Sequence, residues 1–320
     1  CAIHSLTWHS GMTGASSGLF SLAAASLQLA RRQFAPIPGF VEPLADLTDS
    51  RLHFARQASH WLRNRDQGPR LAAVHRASDD GNSCRIVLEQ APQAPLLTPP
   101  EPTVALFGFA GDSHAELCRQ AKELQTWLKQ SGVSLHQLAI RWWKAHPNAD
   151  SGQHQAAIVA SDFNQLEDTL RRFEQLTQNS CPGHGGLFYS QKPLNHGEVA
   201  FVFPGSGNHY AGMGRELALY FPEIALALDE IRGNFGSMIQ APWIVPYRSR
   251  WNAGWEQEAN DQISSDLHRA IFGQIMVASL ASDILRSLGV EPQAAIGYSL
   301  GESASLVALR SWTDGDGMYH

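Results

Sequence analysis

The chain has no run of about 18 or more apolar residues, the length a helix needs to cross a bilayer, so no membrane-spanning segment is expected. No signal peptide opens it. Cysteine is scarce: Cys1, Cys84, Cys118 and Cys181 are far apart and form no CxxC pair. That spacing argues against a zinc site or a disulfide framework and for free thiols in a reducing cytosol, with no metal bound. Basic residues are outnumbered, 24 Lys and Arg against 30 Asp and Glu, for a formal charge of −6. A nucleic-acid binder normally carries a basic stripe, so the charge argues against that class. An initiator Met is missing as well. The chain starts at Cys1 in a Gly/Ser/Ala-rich segment and ends at His320 just after a helix, and both ends read as cut from a longer polypeptide.

What is present is ordinary globular material: 320 residues, 43% hydrophobic and 17% charged, with enough apolar residues for real cores. At about 100–200 residues per domain, two or three domains are expected. Residues 15–31 read as a buried helix of small residues with Leu19, Leu22 and Leu29 on its apolar face, stopping before Pro36 and Pro38. Residues 36–70 have little period and read as an extended connection. Two short strands are expected at Leu71–His75 and Arg85–Glu89. Residues 91–102 hold five prolines in twelve positions, the mark of a linker and a domain boundary.

Residues 103–190 alternate. Strands are expected at Thr103–Phe109, Gln155–Ala160 and Leu187–Ser190, and helices at Asp112–Gln130, Ser134–Ala145 and Asp162–Gln178. Ser113 with Glu116, and Ser134 with Gln137, have capping-box spacing. The pattern implies helices packed on one small sheet. It contains no Gly-rich phosphate loop and no carboxylate pair, so it reads as a structural spacer.

A third unit starts at Val199. Val199–Phe203 is a buried strand that runs into a Gly-rich loop, followed by a helix from Arg215 that is interrupted near Pro222. Residues 236–265 read as irregular. Asp266–Leu288 reads as a long amphipathic helix with Ile271, Ile275, Ala278 and Leu285 near one face, stopped by Gly289.

Gly297-Tyr298-Ser299-Leu300-Gly301 is a GxSxG. A short apolar strand, Ala294–Ile296, precedes it and a helix of Ser303, Ala304, Leu306, Val307 and Leu309 follows. Strand, sharp turn and helix are the context of a nucleophile elbow. The turn is strained, so its flanks must be Gly; it exposes the hydroxyl at the positive end of the next helix, where negative charge is stabilised. The Leu300 N–H is the natural first oxyanion donor. Such pentapeptides also arise by chance, as tight Gly-Ser turns. A second motif, FPGSG at 203–207, lies far upstream. A Gly-rich turn after a buried strand can aim backbone N–H groups into a site, and the Ser206 N–H is the candidate second donor.

The pair resembles a known family. FPGSGNHYAGMGREL is similar to the opening of malonyl/acyl-CoA:carrier-protein transacylase domains, usually FPGQG…GMG, with Ser206 at the family's glutamine. EPQAAIGYSLGE resembles the family's elbow, usually GHSxGE, with Tyr298 at the common His. Gln274 resembles the active-site glutamine that precedes the elbow. The resemblance implies that Gln274, Gly205, Gly207 and Tyr298 contact substrate. Upstream, GMTGASSGLFSLAAASLQLARRQFAPIPGF (11–40) resembles the C-terminal part of a β-ketoacyl synthase, with Met12 where the family has its catalytic His in GHTxAASG; His9 would need a three-residue slip. GNSCRIVLE stands where the family has GTNAHVxLE, with Arg85 for His. The synthase-like part thus reads as degenerate.

The order synthase, linker, acyltransferase implies an α/β protein in three parts. These are the end of a thiolase-like synthase domain (1–95), a small α/β linker module (96–195) and a partial α/β-hydrolase-like acyltransferase core (196–320). The combination resembles polyunsaturated fatty acid synthases, with heterocyst-glycolipid-type synthases a near alternative. It implies that Ser299 takes an acyl group, malonyl foremost, from coenzyme A and passes it to the phosphopantetheine thiol of an acyl carrier protein, with no cofactor bound by this segment. Partners would be the carrier protein, the acyl-CoA and other synthase domains. The family's catalytic His and carboxylate-binding Arg lie beyond the elbow helix, and 21 residues follow Ser299. His320 and His209 are not expected to be the base, so this segment alone is expected to be inactive or nearly so. Two other readings stay open at this point: a generic serine esterase, and a non-catalytic docking scaffold within a megasynthase.

Overall fold

A computed structural model describes residues 2–11, 13–40, 52–55, 58–77, 81–91, 102–130, 132–147, 152–175, 185–191, 197–239, 255–314 and 317. Met12, His320, Cys1, Cys181 and most of the Pro-rich stretch lie outside the described residues, as does the expected helix end near Gln178. The chain divides into two compact units: Glu101–Gly197, and Cys1–Pro100 with Glu198–His320.

The unit Glu101–Gly197 is a three-stranded antiparallel sheet with helices on one face. His154–Ala160 is the central strand, between Ala105–Gly111 and Leu187–Ser190. Side chains alternate along a strand, so Phe107 and Phe109 point to the same side and are fully buried. They meet Leu117, Leu124, Leu138, Trp142, Leu166 and Phe173 from helices His114–Gln130, Leu135–Ala145 and Phe163–Glu174. Trp142 satisfies its indole by donating Nε1–H to the Gly108 carbonyl at 2.8 Å. Side-chain oxygens cap these helices. Ser134 Oγ accepts from Gln137 N–H and Asp162 Oδ1 from Gln165 N–H. Ser113 Oγ accepts from Glu116 N–H, but the Glu116 carboxylate reaches Asp112 N–H, one residue before the expected partner.

In the other unit, helix Ser17–Arg31 packs on the antiparallel hairpin Leu71–Ala77/Ser83–Glu89. Residues 33–70 are not wholly without regular structure: Gln33–Phe34 pairs with Ser59–His60, and Arg65–Gln67 forms a 3-10 turn whose Asn64 and Gln67 make a reciprocal capping box. The Asn64 side chain also bridges to Ser237, accepting its N–H at 2.7 Å and donating to its hydroxyl at 2.5 Å. Arg70 and Asp229 form an ion pair of 2.9 Å with side chains only 1% and 7% exposed. Arg70 also donates to the Trp61 carbonyl and the Gln90 side chain. These bonds tie residues around 60–90 to the region of 229–237.

The rest of this unit is built on two parallel strands, Ala200–Phe203 and Ala294–Gly297. Phe201 and Phe203 enter a core with Met213, Ala225, Leu228, Phe235, Ile275, Met276, Leu280, Ala304 and Val307. Helix Leu267–Ser287 crosses that core. Asp266 caps its start, accepting from Arg269 N–H, and Gly289 ends it with φ 85, as a left-handed glycine after a helix does. Its buried face is set by Phe272, Ile275, Met276, Leu280 and Ile284. Leu285 is exposed, one position off the expected stripe. The break before Pro222 is real: helices Arg215–Tyr220 and Pro222–Ile231 meet at Phe221. Residues 236–265 depart from the expectation, since Trp255–Ser265 is helical and a short helix covers Phe235–Met238.

Two outcomes follow for stability. Arg70→Ala leaves the Asp229 carboxylate buried without its partner and should lower stability by about 3–5 kcal/mol in urea unfolding. His60 is buried, and its pKa is pushed down to about 3, first by burial and then by the Arg70 and Arg32 charges. The unfolded chain protonates this histidine below about 6.5 while the folded chain does not, so stability must fall as pH drops from about 6.5 towards 3. Urea titrations at pH 8 and pH 5 should show a smaller loss in His60→Phe than in the parent chain.

Candidate active site

The parallel register sets Phe203 opposite Gly297, so the loop after the first strand and the turn after the second leave the sheet side by side. The Tyr298 N–H extends the ladder by donating to the Phe203 carbonyl at 3.2 Å. Ser299 follows with φ 54 and ψ −117, at the N-terminus of helix Leu300–Ala308. A residue with a Cβ seldom occupies that region, and holding it there costs of order 1–3 kcal/mol. The strain has a visible consequence: the Ser299 side chain is exposed and does not cap the helix. Among the described residues nothing hydrogen-bonds its hydroxyl.

The flanking glycines are required by contact. A Cβ on Gly301 would overlap the Phe203 carbonyl oxygen, and one on Gly297 would overlap the backbone of Gly301 and Glu302. A Cβ on Gly205 would stand 2.9 Å from the Tyr298 ring. Gly207 is different: nothing crowds it, but its φ of 97 is a conformation glycine adopts freely. The elbow helix spends its Gly301 and Glu302 amides on the Tyr298 and Ser299 carbonyls. Among the described residues neither the Leu300 nor the Ser206 N–H is hydrogen-bonded, so both candidate oxyanion donors are at liberty.

The loop that carries Ser206 is tethered at several points. Gln274, on helix Leu267–Ser287 and 6% exposed, donates Nε2–H to the Gly205 carbonyl at 2.6 Å and to that of Pro204 at 3.4 Å. Asn208 donates Nδ2–H to the same Gly205 carbonyl at 2.9 Å. The Ala211 N–H donates to Asn260 Oδ1 at 2.7 Å. His209 Nε2 lies 3.2 Å from Ser264 Oγ, which ties the loop to helix Trp255–Ser265. A Cβ on Gly214 (φ 78) would press on Val277. Tyr298, one of the expected substrate residues, has 78% of its surface exposed. Asn208, Asn260 and Ser264 carried no signal in the sequence, because single polar residues in a loop and on a polar helix follow no period.

No family model matches the chain. Sequence relatives nevertheless cover it almost from end to end. One subunit of the phenolphthiocerol/phthiocerol polyketide synthase of Mycobacterium tuberculosis is 26% identical over 99% of the chain and 20% of its own length. Polyketide synthase GfsA of Streptomyces halstedii is 30% identical over 74% of the chain and 3% of its own length. The homologues of this chain are polyketide synthases. It spans about a fifth of the length of the first of these relatives. Among solved structures, the acyl transferase domain of ZmaA is similar at a TM-score of 0.49 and 21% identity, covering 67% of this chain and 49% of that one. Mixed α/β architecture and polyketide synthase homology agree with the synthase-to-acyltransferase segment implied by the motifs. Among the described residues there is no cluster of metal-ligating side chains and no helix long and apolar enough to cross a membrane. Cys84 and Cys118 are free thiols.

The strain at Ser299 gives a direct test. Ser299→Gly removes the Cβ from an unfavourable φ and should raise stability by about 1 kcal/mol, read as a higher urea midpoint with an unchanged m-value.

Proposed function

We propose that Ser299 is the acyl-accepting nucleophile of an acyltransferase within a polyketide synthase-like protein. The observation that carries this reading is the strained, unpartnered Ser299 at a helix N-terminus, held beside the FPGSG turn by the parallel Phe203–Gly297 pairing. The homology to polyketide synthases supports acyl transfer as the reaction class.

In this reading Ser299 Oγ attacks the carbonyl carbon of an acyl-CoA thioester. Its proton passes to a general base, which we assign to a histidine, since a serine hydroxyl is weakly nucleophilic without one. The negative charge that develops on the carbonyl oxygen is held by the Leu300 and Ser206 N–H groups and by the positive end of helix Leu300–Ala308. The carbon–sulfur bond breaks and CoA leaves as its thiol, with the ester on Ser299. The phosphopantetheine thiol of an acyl carrier protein then attacks that ester, and Ser299 recovers its proton. The cycle is ping-pong. Malonyl is the acyl group we propose, with Tyr298 and the 205–207 loop facing it. Gln274 acts from behind the loop, which fits its burial better than direct contact does. The setting is a cytoplasmic synthase of polyunsaturated fatty acid type, in which residues 1–95 belong to a degenerate synthase domain, 96–195 to a linker module and 196–320 to the acyltransferase. Its partners are the carrier protein and the other synthase domains.

Intact-mass analysis after exposure of the full-length protein to malonyl-CoA or acetyl-CoA tests this. One acyl adduct is expected with malonyl-CoA, and none on Ser299→Ala. An adduct with acetyl-CoA alone would refute the malonyl assignment. No adduct with either, from folded protein, would refute loading and favour a non-catalytic docking role.

A further inference from the structure

The Gly205 carbonyl receives two side-chain donors that approach from different parts of the chain. Gln274 comes from the buried helix behind the loop, at 2.6 Å, and Asn208 from within the loop, at 2.9 Å. Both amide orientations are fixed by the network. A carbonyl oxygen only accepts, so each side chain must present nitrogen to it. Gln274 Nε2 faces two such oxygens, those of Pro204 and Gly205, and its Oε1 is buried without a partner among the described residues. An orphaned buried acceptor is costly, of order 1–3 kcal/mol. Among the described residues the hydrogen bonds of the Gln274 side chain all go to the carbonyls of the loop.

The peptide that follows Gly205 is the one that carries the Ser206 N–H. A trans peptide is planar, with its C=O and N–H pointing in opposite directions. Two donors that grip the Gly205 oxygen therefore also aim the Ser206 N–H, away from Gln274 and Asn208. On the neighbouring side, Gly205 lies against the Tyr298 ring and carbonyl, one residue before Ser299. Without the two donors the peptide could rotate, and a carbonyl oxygen presented to a developing oxyanion would repel it.

We propose that Asn208 and Gln274 act as a peptide clamp, positioning residues that hold the Gly205–Ser206 peptide so that the Ser206 N–H serves as an oxyanion donor. The clamp rests on the acyl-transfer reading of Ser299. Neither side chain touches substrate in this arrangement. Their effect is on the rate of acylation and not on the binding of the acyl-CoA.

The test is single-turnover acylation of the full-length protein by malonyl-CoA, followed by intact mass over a range of substrate concentration. Asn208 is exposed, so Asn208→Ala and the isosteric Asn208→Asp, which lacks the donor, should fold; Gln274→Leu is the buried counterpart. Removing an oxyanion donor costs roughly 10²–10³ in rate, and loosening one should cost less, about 10–100-fold for each Asn208 variant. The half-saturating malonyl-CoA concentration should stay within about twofold, because the loss falls on the transition state. Asn208→Gln, whose longer amide can still donate, should recover part of the rate. A merely structural role would lower the amount of active protein, measured as the final adduct yield, and leave the rate per active site unchanged; that result would overturn the clamp. So would Asn208→Ala and Asn208→Asp acylating at the parent rate while Ser299→Ala stays unlabelled, which would leave the acyl-transfer reading intact. If the parent protein itself takes no acyl group from any CoA thioester tried, both readings fall together.

Discussion

Four residue pairs of parallel ladder, Ala200 with Ala294 through Phe203 with Gly297, bring together segments almost a hundred positions apart. Everything proposed at the site depends on that pairing. A parallel pair cannot be closed by a tight turn and needs a long crossover. Here the crossover contains the helices that also brace the result. Because the two strands end level, the chain leaves both of them at the same edge, one into FPGSG and the other into the Ser299 turn. The Gly301–Phe203 approach then locks the two turns at a separation that no side chain at 301 would permit.

The same edge concentrates strain and orphaned polar groups, and each is held by its surroundings. Ser299 keeps an unfavourable φ because strand Ala294–Gly297 and helix Leu300–Ala308 leave the connecting residue no other course. Gln274 leaves one oxygen unsatisfied while its nitrogen holds two loop carbonyls. Stability lies elsewhere in the unit, in the apolar core around Ile275, Met276 and Val307. A site that is itself unfavourable can persist on a frame that is not.

Much of this was legible in the residues, for local reasons. Helices with Ser or Asp at the cap and a defined stripe, such as Leu135–Ala145 and Phe163–Glu174, appear where spacing and caps place them. Glycine signals were equally direct at Gly289 and across Gly297–Gly301. The misses have physical reasons as well. WEQEANDQISS at 255–265 is too polar to show a stripe, yet it is helical, and its Asn260 and Ser264 hold the Gly-rich loop. Leu285 and Ile284 are adjacent and equally apolar, so period alone did not decide which one faces the core; packing against helix Leu300–Ala308 and the other helices of the unit did. Within the stretch 36–70 read as an extended connection, His53–Phe54 and Ser59–His60 form strands two residues long with distant partners, below what any local pattern can mark.

By itself the sequence determined the chemistry on offer: one GxSxG between an apolar strand and a helix, and a Gly-rich partner loop upstream. Those are properties of neighbouring residues, and steric and hydrophobic rules act on them without knowledge of the fold. Tertiary structure alone decided how the two motifs meet, which face of helix Leu267–Ser287 is buried, and what the Gln274 amide does there. It also brought residues 60–90 into one unit with 229–237 through Arg70 and Asn64. These outcomes depend on contacts between segments tens to more than a hundred residues apart, where direction and distance are set by packing and not by spacing along the chain.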